Sequence, residues 1–445
     1  MKTKIIFIMI FNLMICFAPS EQLISQSING KLGTSGQFII RDTANTFLTL
    51  NQSTGDLSLN RNLALLVSTP GSQLGSIFKG TARFIHNYSP ATSFGNTFLG
   101  INSGNFTMNG TGSQSSNNTG VGENSLAGLT IGYQNSAFGV SSLFNNTIGY
   151  RNSAFGNTSL QNNTTGSNNS AFGHLSLNAN IIGTYNSAFG NQSLQYNTDG
   201  NYNSAFGNFS LNANTTGFQN SAFGHLSLAL NSTGNYNSAF GVRSLDNSTT
   251  GIQNSAFGYF SGSGITTGSN NTTIGYNAQV PSASSSDQVR VGNTSVTYAG
   301  IQVAWTITSD RRWKSDIQSS NLGLNFISKL RPVSYFRNND DKQKTEYGFI
   351  AQEVEDVLKG SGVENSGMLI ISDEGMYELR YNDLLAPMVK SIQELKAEND
   401  ELKNKNVSLE ERLAKYEQMQ NTLVKKMEEL ESKNKDLKEV KFGEK

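Results

Sequence analysis

Cysteine is almost missing from this chain: Cys16 is the only one, which excludes any disulfide within a chain. Histidine is nearly as scarce. His86, His174 and His225 stand far apart, and two of them fall at the same position of a repeat, which is not the clustering a metal site needs. Neither a Walker-type loop nor a dinucleotide fingerprint occurs, so the sequence points to no metal and no cofactor. Charge is unevenly withheld. The 33 basic and 33 acidic residues cancel over the whole chain, yet between 117 and 278 only Glu123, Arg151, Asp199, Arg243 and Asp246 are charged. A phosphate backbone finds nothing to neutralise there, which argues against nucleic acid as a partner. Apolar runs long enough to span a bilayer are lacking too. The nearest, residues 5–17, follows Lys2 and Lys4 and ends in Ala18-Pro19-Ser20. It reads as a secretory leader over 1–20, cut after Ser20, and implies a secreted or cell-surface protein without stable membrane insertion.

What is abundant comes in strict order. From Val121 to Ile274 a unit of Asn-Ser/Thr-x-apolar-Gly returns ten times at intervals of 17 residues, and its apolar position is Phe at 138, 155, 172, 189, 206, 223, 240 and 257. Leu follows five residues after the apolar position from Leu126 to Leu245, and Gly recurs from Gly132 to Gly268. Such a period marks a stacked repeat rather than a pocketed domain. Two apolar anchors and two Gly/Asn-rich stretches fit two short strands and two turns per coil. Stacked at roughly 4.8 Å each, ten coils give a rod on the order of 45 Å long. Phe over Phe and Leu over Leu are then expected as its core, and Asn118 to Asn271 as an amide ladder. Repeated charge would stand over its own copy, which the composition avoids. The neutral Asn/Ser/Thr surface offers hydrogen bonds to a cell-surface glycan or protein ligand.

Around this shaft, expected over 96–278, the chain changes character. Residues 21–95 read as a β-rich stalk with strands at 38–41, 46–50 and 56–59, and 91–116 as a degraded, capping repeat. A neck spans 279–308 and includes Val289-Arg290-Val291-Gly292. From Leu385 the apolar residues Met388, Ile392, Leu395, Leu402 and Leu409 begin a seam in steps of three and four, with Asn399, Asn406, Gln420 and Asn434 among the a positions. About seven and a half heptads over 385–440 predict a parallel coiled coil, hence an oligomer. The whole is mainly β: a β-solenoid or β-roll shaft, a small α+β domain over 309–384 and a terminal coiled coil.

The junction carries chemistry. Ser309-Asp310-Arg311-Arg312-Trp313-Lys314 is followed by Leu330-Arg331-Pro332-Val333-Ser334-Tyr335-Phe336, by Tyr347-Gly348-Phe349-Ile350-Ala351-Gln352-Glu353-Val354 and by Leu379-Arg380-Tyr381-Asn382-Asp383. This set, in this order, resembles the peptidase S74 family, also called the intramolecular chaperone of endosialidase domain, and departs from it at Trp313, where a smaller aliphatic residue is common. The resemblance implies a domain that trimerises, guides an upstream β-fibre into register and cuts the chain before the Ser of its Ser-Asp motif. Here the bond is Thr308–Ser309, the nucleophile Ser309 and the general base Lys314. Ser315-Asp316 is a second such pair, but Ser320 stands where its base would be. No histidine lies in the domain, so Ser/Lys is the route open to a serine nucleophile. An offset of five separates two side chains on a helix and opposes them on a strand, so a turn or a partner subunit has to join them. The bland alternative makes Ser309 a helix cap and Lys314 a solvated residue. Two further readings share the residues: a homotrimer that keeps Thr308–Ser309 intact, and a glycan-active spike, which would need paired carboxylates beside the shaft.

Overall fold

The computed structural model describes residues 37–41, 46–51, 57–59, 76–90, 95–338 and 340–442; the expected leader, 1–20, lies outside them. Three strands belong to a first unit of the chain: β1 (Gln37–Arg41), β2 (Thr46–Asn51) and β3 (Leu57–Leu59) pair antiparallel in the order β1-β2-β3. They coincide with the three expected stalk strands.

The second unit is built on one fourteen-stranded sheet. It opens with a hairpin, β4 (Ile77–Lys79) and β5 (Ala82–His86), that pairs antiparallel onto β6 (Thr97–Leu99). From β6 onward every pairing is parallel. β7 is Thr119–Val121, β8 (Ser136–Phe138) to β15 (Ser255–Phe257) are Ser-Ala-Phe triplets, and β16 is Thr272–Ile274. Between neighbouring triplets Ser pairs with Ser, Ala with Ala and Phe with Phe. β17 (Val289–Val291) joins at the same offset, one rung beyond the residue at which the shaft was expected to end.

Each coil thus carries one three-residue strand, not two. Side chains alternate across a strand, so the central Ala and the flanking Ser and Phe must point to opposite sides. Ala137 to Ala256 and Leu126 to Leu245 are fully buried, whereas the Phe rings lie on the outside, 36% exposed at Phe138 and 44% at Phe257. The expectation of a Phe core is therefore corrected. The interior of so thin a coil is filled by Ala from the strand and Leu from the opposite turn, and the Phe rings stack on one another outside, 4.6–5.2 Å apart and within 7° of parallel.

Amides hold the coils together. Asn152 N donates to Asn135 Oδ1 at 3.0 Å, and Asn152 Nδ2 donates to Gly166 O at 2.8 Å; the same pattern recurs at Asn169, Asn186 and Asn220, all fully buried. A second column that the sequence reading missed runs from Asn146 to Asn231, with Asn163 Nδ2 donating to Asn146 Oδ1 at 2.7 Å. It stops at Ser248, where Asn231 Oδ1 and Ser248 Oγ are buried without a partner among the described residues.

The turns between these anchors use strained backbone. Tyr185 (φ 58), Gln192 (φ 54) and Leu194 (φ 51) are left-handed, a conformation that costs non-glycine residues about 1–2 kcal/mol. Each is pinned by a neighbouring coil: their N–H groups donate to Ser167 O, His174 O and Ser210 O at 2.9–3.1 Å. Glycine is required where backbones approach. A Cβ on Gly190 (φ 141) would stand 2.5 Å from Gly207 O.

Aromatic side chains close the N-terminal end. Tyr88 and Phe98 are fully buried, His86 packs 4.8 Å from Phe98 and 4.5 Å from Phe106, and the Arg83 guanidinium lies 3.9 Å over Phe106. His86 shares a 2.6 Å hydrogen bond with Ser103 O. Burial, with the Arg83 charge adding to it, lowers its pKa to about 4.

The C-terminal domain comprises α1 (Leu324–Ile327), β18 (Val333–Tyr335), β19 (Glu346–Gly348), α2 (Ala351–Gly360), β20 (Leu369–Ile371), β21 (Tyr377–Leu379) and α3 (Leu385–Phe442); β18 pairs with β19, β20 with β21, and α1 packs against α3. Its core is Phe326, Leu330, Val354, Leu358, Met368 and Leu384. Glu394 of α3 accepts the Leu324 N–H at 2.6 Å and so caps α1. The domain touches the last rungs of the shaft: Arg290 pairs with Glu378 at 2.6 Å, and Asp373 N donates to Pro281 O at 2.9 Å. α3 is 58 residues long and its apolar seam is exposed along its length. No helix of the described residues is long and apolar enough to cross a membrane.

Gly190→Ala, which forces a Cβ into the next coil's backbone, should destabilise the shaft by about 3 kcal/mol or more, read as a lowered thermal midpoint. Ser248→Asn should instead extend the second amide column to Asn231 Oδ1 and stabilise by about 1 kcal/mol in the same measurement. Because the folded pKa of His86 lies below the unfolded 6.5, the unfolded chain binds more protons between them. Stability is therefore complete above pH 6.5 and falls by up to about 3 kcal/mol as pH drops to 4, a slope that His86→Asn should flatten in melts across that range.

Candidate active site

Between β17 and α1 the chain runs as an exposed loop, and every residue from 301 to 309 is exposed. It tightens once. Arg311–Trp313 form a single 3-10 turn with Asp310 as its N-cap: the Asp310 carboxylate accepts the Arg312 N–H at 2.9 Å and pairs with the Arg312 guanidinium at 2.8 Å. An Asp that reaches two residues ahead to its own backbone is a favoured way to start a turn. The Arg312 side chain holds the Asp310 carboxyl below the usual carboxylate range. The turn closes with Trp313 N donating to Asp310 O at 3.1 Å and Lys314 N to Arg311 O at 3.0 Å.

Lys314 leaves the turn extended (φ −125, ψ 133), and this brings its side chain back over the chain. Lys314 Nζ donates to Ser309 Oγ at 2.7 Å. Neither a regular helix nor a strand allows that contact at an offset of five, and the 3-10 turn supplies it within one chain. Both side chains are exposed. For Lys314 to take a proton from Ser309, the direction of this hydrogen bond has to reverse, and a lysine loses its proton most readily when it is desolvated.

The other candidates behave differently. Asp316 (φ 49) accepts from Gln318 Nε2 at 2.8 Å, and Ser320, which stands where a lysine would be needed, closes a local turn with Leu322 through its Oγ. Thr308 is exposed on the N-terminal side of Ser309. Downstream, Ser319 and Ser320 line an open groove of about 500 Å³ with Leu385, Ala386, Val389, Lys390 and Gln393 of α3. The part played by Asp310 and Arg312 in shaping the turn was missed from sequence; its signal is the Asp-x-Arg spacing right after the candidate nucleophile. Among the described residues, no group of three His, Cys, Asp or Glu side chains is placed to hold a metal ion.

No curated protein and no solved structure matches this chain. Residues 309–363, which begin at the Ser309 whose hydroxyl meets Lys314, match the Peptidase_S74 family, the chaperone of endosialidase.

Proposed function

We propose that this chain is a secreted or cell-surface, fibre-like homotrimer. Its C-terminal domain gathers three copies, sets their shafts in register and then cuts its own chain at Thr308–Ser309. The contact of Lys314 Nζ with Ser309 Oγ, at the first residue of the family match, carries the reading. In the proposed reaction Lys314 takes the Ser309 Oγ proton and the oxygen attacks the Thr308 carbonyl carbon. The Thr308–Ser309 C–N bond breaks as the proton passes to the Ser309 nitrogen. Water then hydrolyses the ester between Thr308 and the Ser309 side chain, leaving a Thr308 carboxylate and a Ser309 amine.

Assembly supplies the missing desolvation. The exposed α3 seam, Leu395, Leu402, Leu409 and onward, is patterned for a coiled coil. The groove beside Ser319 and Ser320 is lined by the first turns of that helix, so bringing helices together alters the surroundings of the loop that carries the dyad. Register explains the need. Slipping a stack of identical coils by one unit loses only its end contacts, and a nucleator at one end removes that degeneracy. Removal of the nucleator afterwards leaves the zipped fibre without a route back to its registered start, so its persistence becomes kinetic. A permanent, uncut trimerisation cap is the second reading, favoured by the exposure of Ser309 and Lys314 in the single chain.

Purified full-length protein should yield a fragment of residues 309–445 whose first residue is Ser309, read by denaturing gel and N-terminal sequencing. Ser309→Ala and Lys314→Ala should each slow its appearance by roughly 10²–10⁴-fold while leaving the trimeric mass in solution unchanged. An uncut wild-type trimer supports the permanent cap, and a single-copy mass removes both readings.

A further inference from the structure

One column of the shaft is left uncovered by the chain's own fold. Leu99, Val121, the Phe residues from 138 to 257, Ile274 and Val291 stand in register on twelve successive strands, β6 to β17, and the rings are partly exposed throughout. The coil does not need them inside, because the Ala and Leu columns already fill its interior. Their uniformity therefore calls for another reason. Two residues after Phe the outward column varies freely, through Val140, Asn157, His174, Val242 and Tyr259. The strand face itself does not vary: it is a ridge of Ser beside a ridge of Phe from β8 to β15, free of charge.

We propose that this Ser/Phe face is where the shafts of separate copies of the chain meet, rung against rung. The inference rests on the homotrimer reading and names the surface through which it acts upstream of the helix. Three observations select a second copy as the occupant. The rings repeat every 4.6–5.2 Å, and a parallel copy carries that same repeat by construction. On the triplets of β6 to β17 the only charged residue is Arg290, at the central position that alternates away from the Phe column and paired with Glu378, so identical faces meet without setting like charge on like charge. The apolar line also continues toward the C-terminus. Val291 is 69% exposed, Ile301, Val303, Trp305 and Ile307 alternate with smaller or polar residues and are exposed, and the exposed seam of α3 follows.

Size fits the same division of labour. Twelve rungs at roughly 4.8 Å and a three-residue strand about 10 Å wide give a face on the order of 500 Å². That is less than the roughly 800 Å² each partner contributes to a standard interface. The face cannot collect free chains by itself, but it suffices once the C-terminal helices hold copies side by side. Mispairing by one coil leaves only an end residue, Leu99 or Val291, unopposed, so the face adheres while the C-terminal helices set the register.

The test uses the full chain with Cys16→Ser, which removes the native thiol, and one new cysteine at a time. Phe206→Cys, and Ser204→Cys as a smaller change on the same face, should be converted mostly to covalent dimers by a bismaleimide spanning about the 10 Å of sheet-on-sheet packing. Tyr196→Cys, exposed on a different side of the coil, should not. In a mixture of Phe206→Cys and Phe223→Cys chains, linked peptides should join 206 to 206 and 223 to 223, with 206-to-223 links rare. A trimeric solution mass with neither Phe206→Cys nor Ser204→Cys linking, or with Tyr196→Cys linking equally, overturns the face and leaves the trimer standing. A single-copy mass instead overturns the trimer reading on which it rests.

Discussion

Every coil of the shaft is completed by the next. Its buried Asn accepts a backbone N–H from the coil above and donates to a glycine carbonyl there, and the N–H groups of its left-handed residues are bound by neighbours in the same way. A single coil of 17 residues has no means of satisfying these groups, and burying them unpaired would cost more than its one Leu and one Ala return. The stack is thus the smallest unit that is stable. This dependence explains the ends: the aromatic cluster of Tyr88, Phe98 and Phe106 covers one terminus, and the docked hairpin carrying Asp373 and Glu378 lies against the other.

Much of this was legible in the sequence, and the gaps have a common cause. The period identifies which residues stand above one another, so the Asn118 to Asn271 column and the in-register strands follow directly. It does not say which side of the coil faces inward. Phe is the larger and more apolar of the two strand candidates, yet Ala sits inside because alternation along a three-residue strand gives the interior to its central position, and little room exists there. The second strand expected per coil is replaced by turns through left-handed residues such as Leu194, a conformation that composition disfavours and that only contacts between coils impose. The Asn146 to Asn231 column was hidden among other Asn and Thr residues whose side chains remain at the surface.

The candidate site shows the same division between pattern and geometry. Ser309 and Lys314 were recognisable by their offset and their neighbours, but the offset alone places them apart on any regular element. The turn that joins them depends on Asp310 bonding to the backbone and guanidinium of Arg312, a local arrangement with no periodic signature. Exposure of the pair and of the neck side chains around Trp305 falls on one stretch of chain, and the α3 seam is exposed again beyond the packed domain that follows. The shaft above satisfies most of its buried polar groups, with exceptions such as Asn231 Oδ1 and Ser248 Oγ, and leaves its outer strand face uncovered.

The uniformity of the rungs carries a further consequence for how such a protein changes over generations. Because each layer touches only those directly above and below it, loss or gain of 17 codons joins a triplet such as Ser187–Phe189 to its counterpart with identical surroundings. Reach is then adjustable in discrete increments, without disturbing either terminus or the machinery that follows. Recombination between near-identical segments supplies such changes readily, so a population can carry rods of several lengths that share one set of ends.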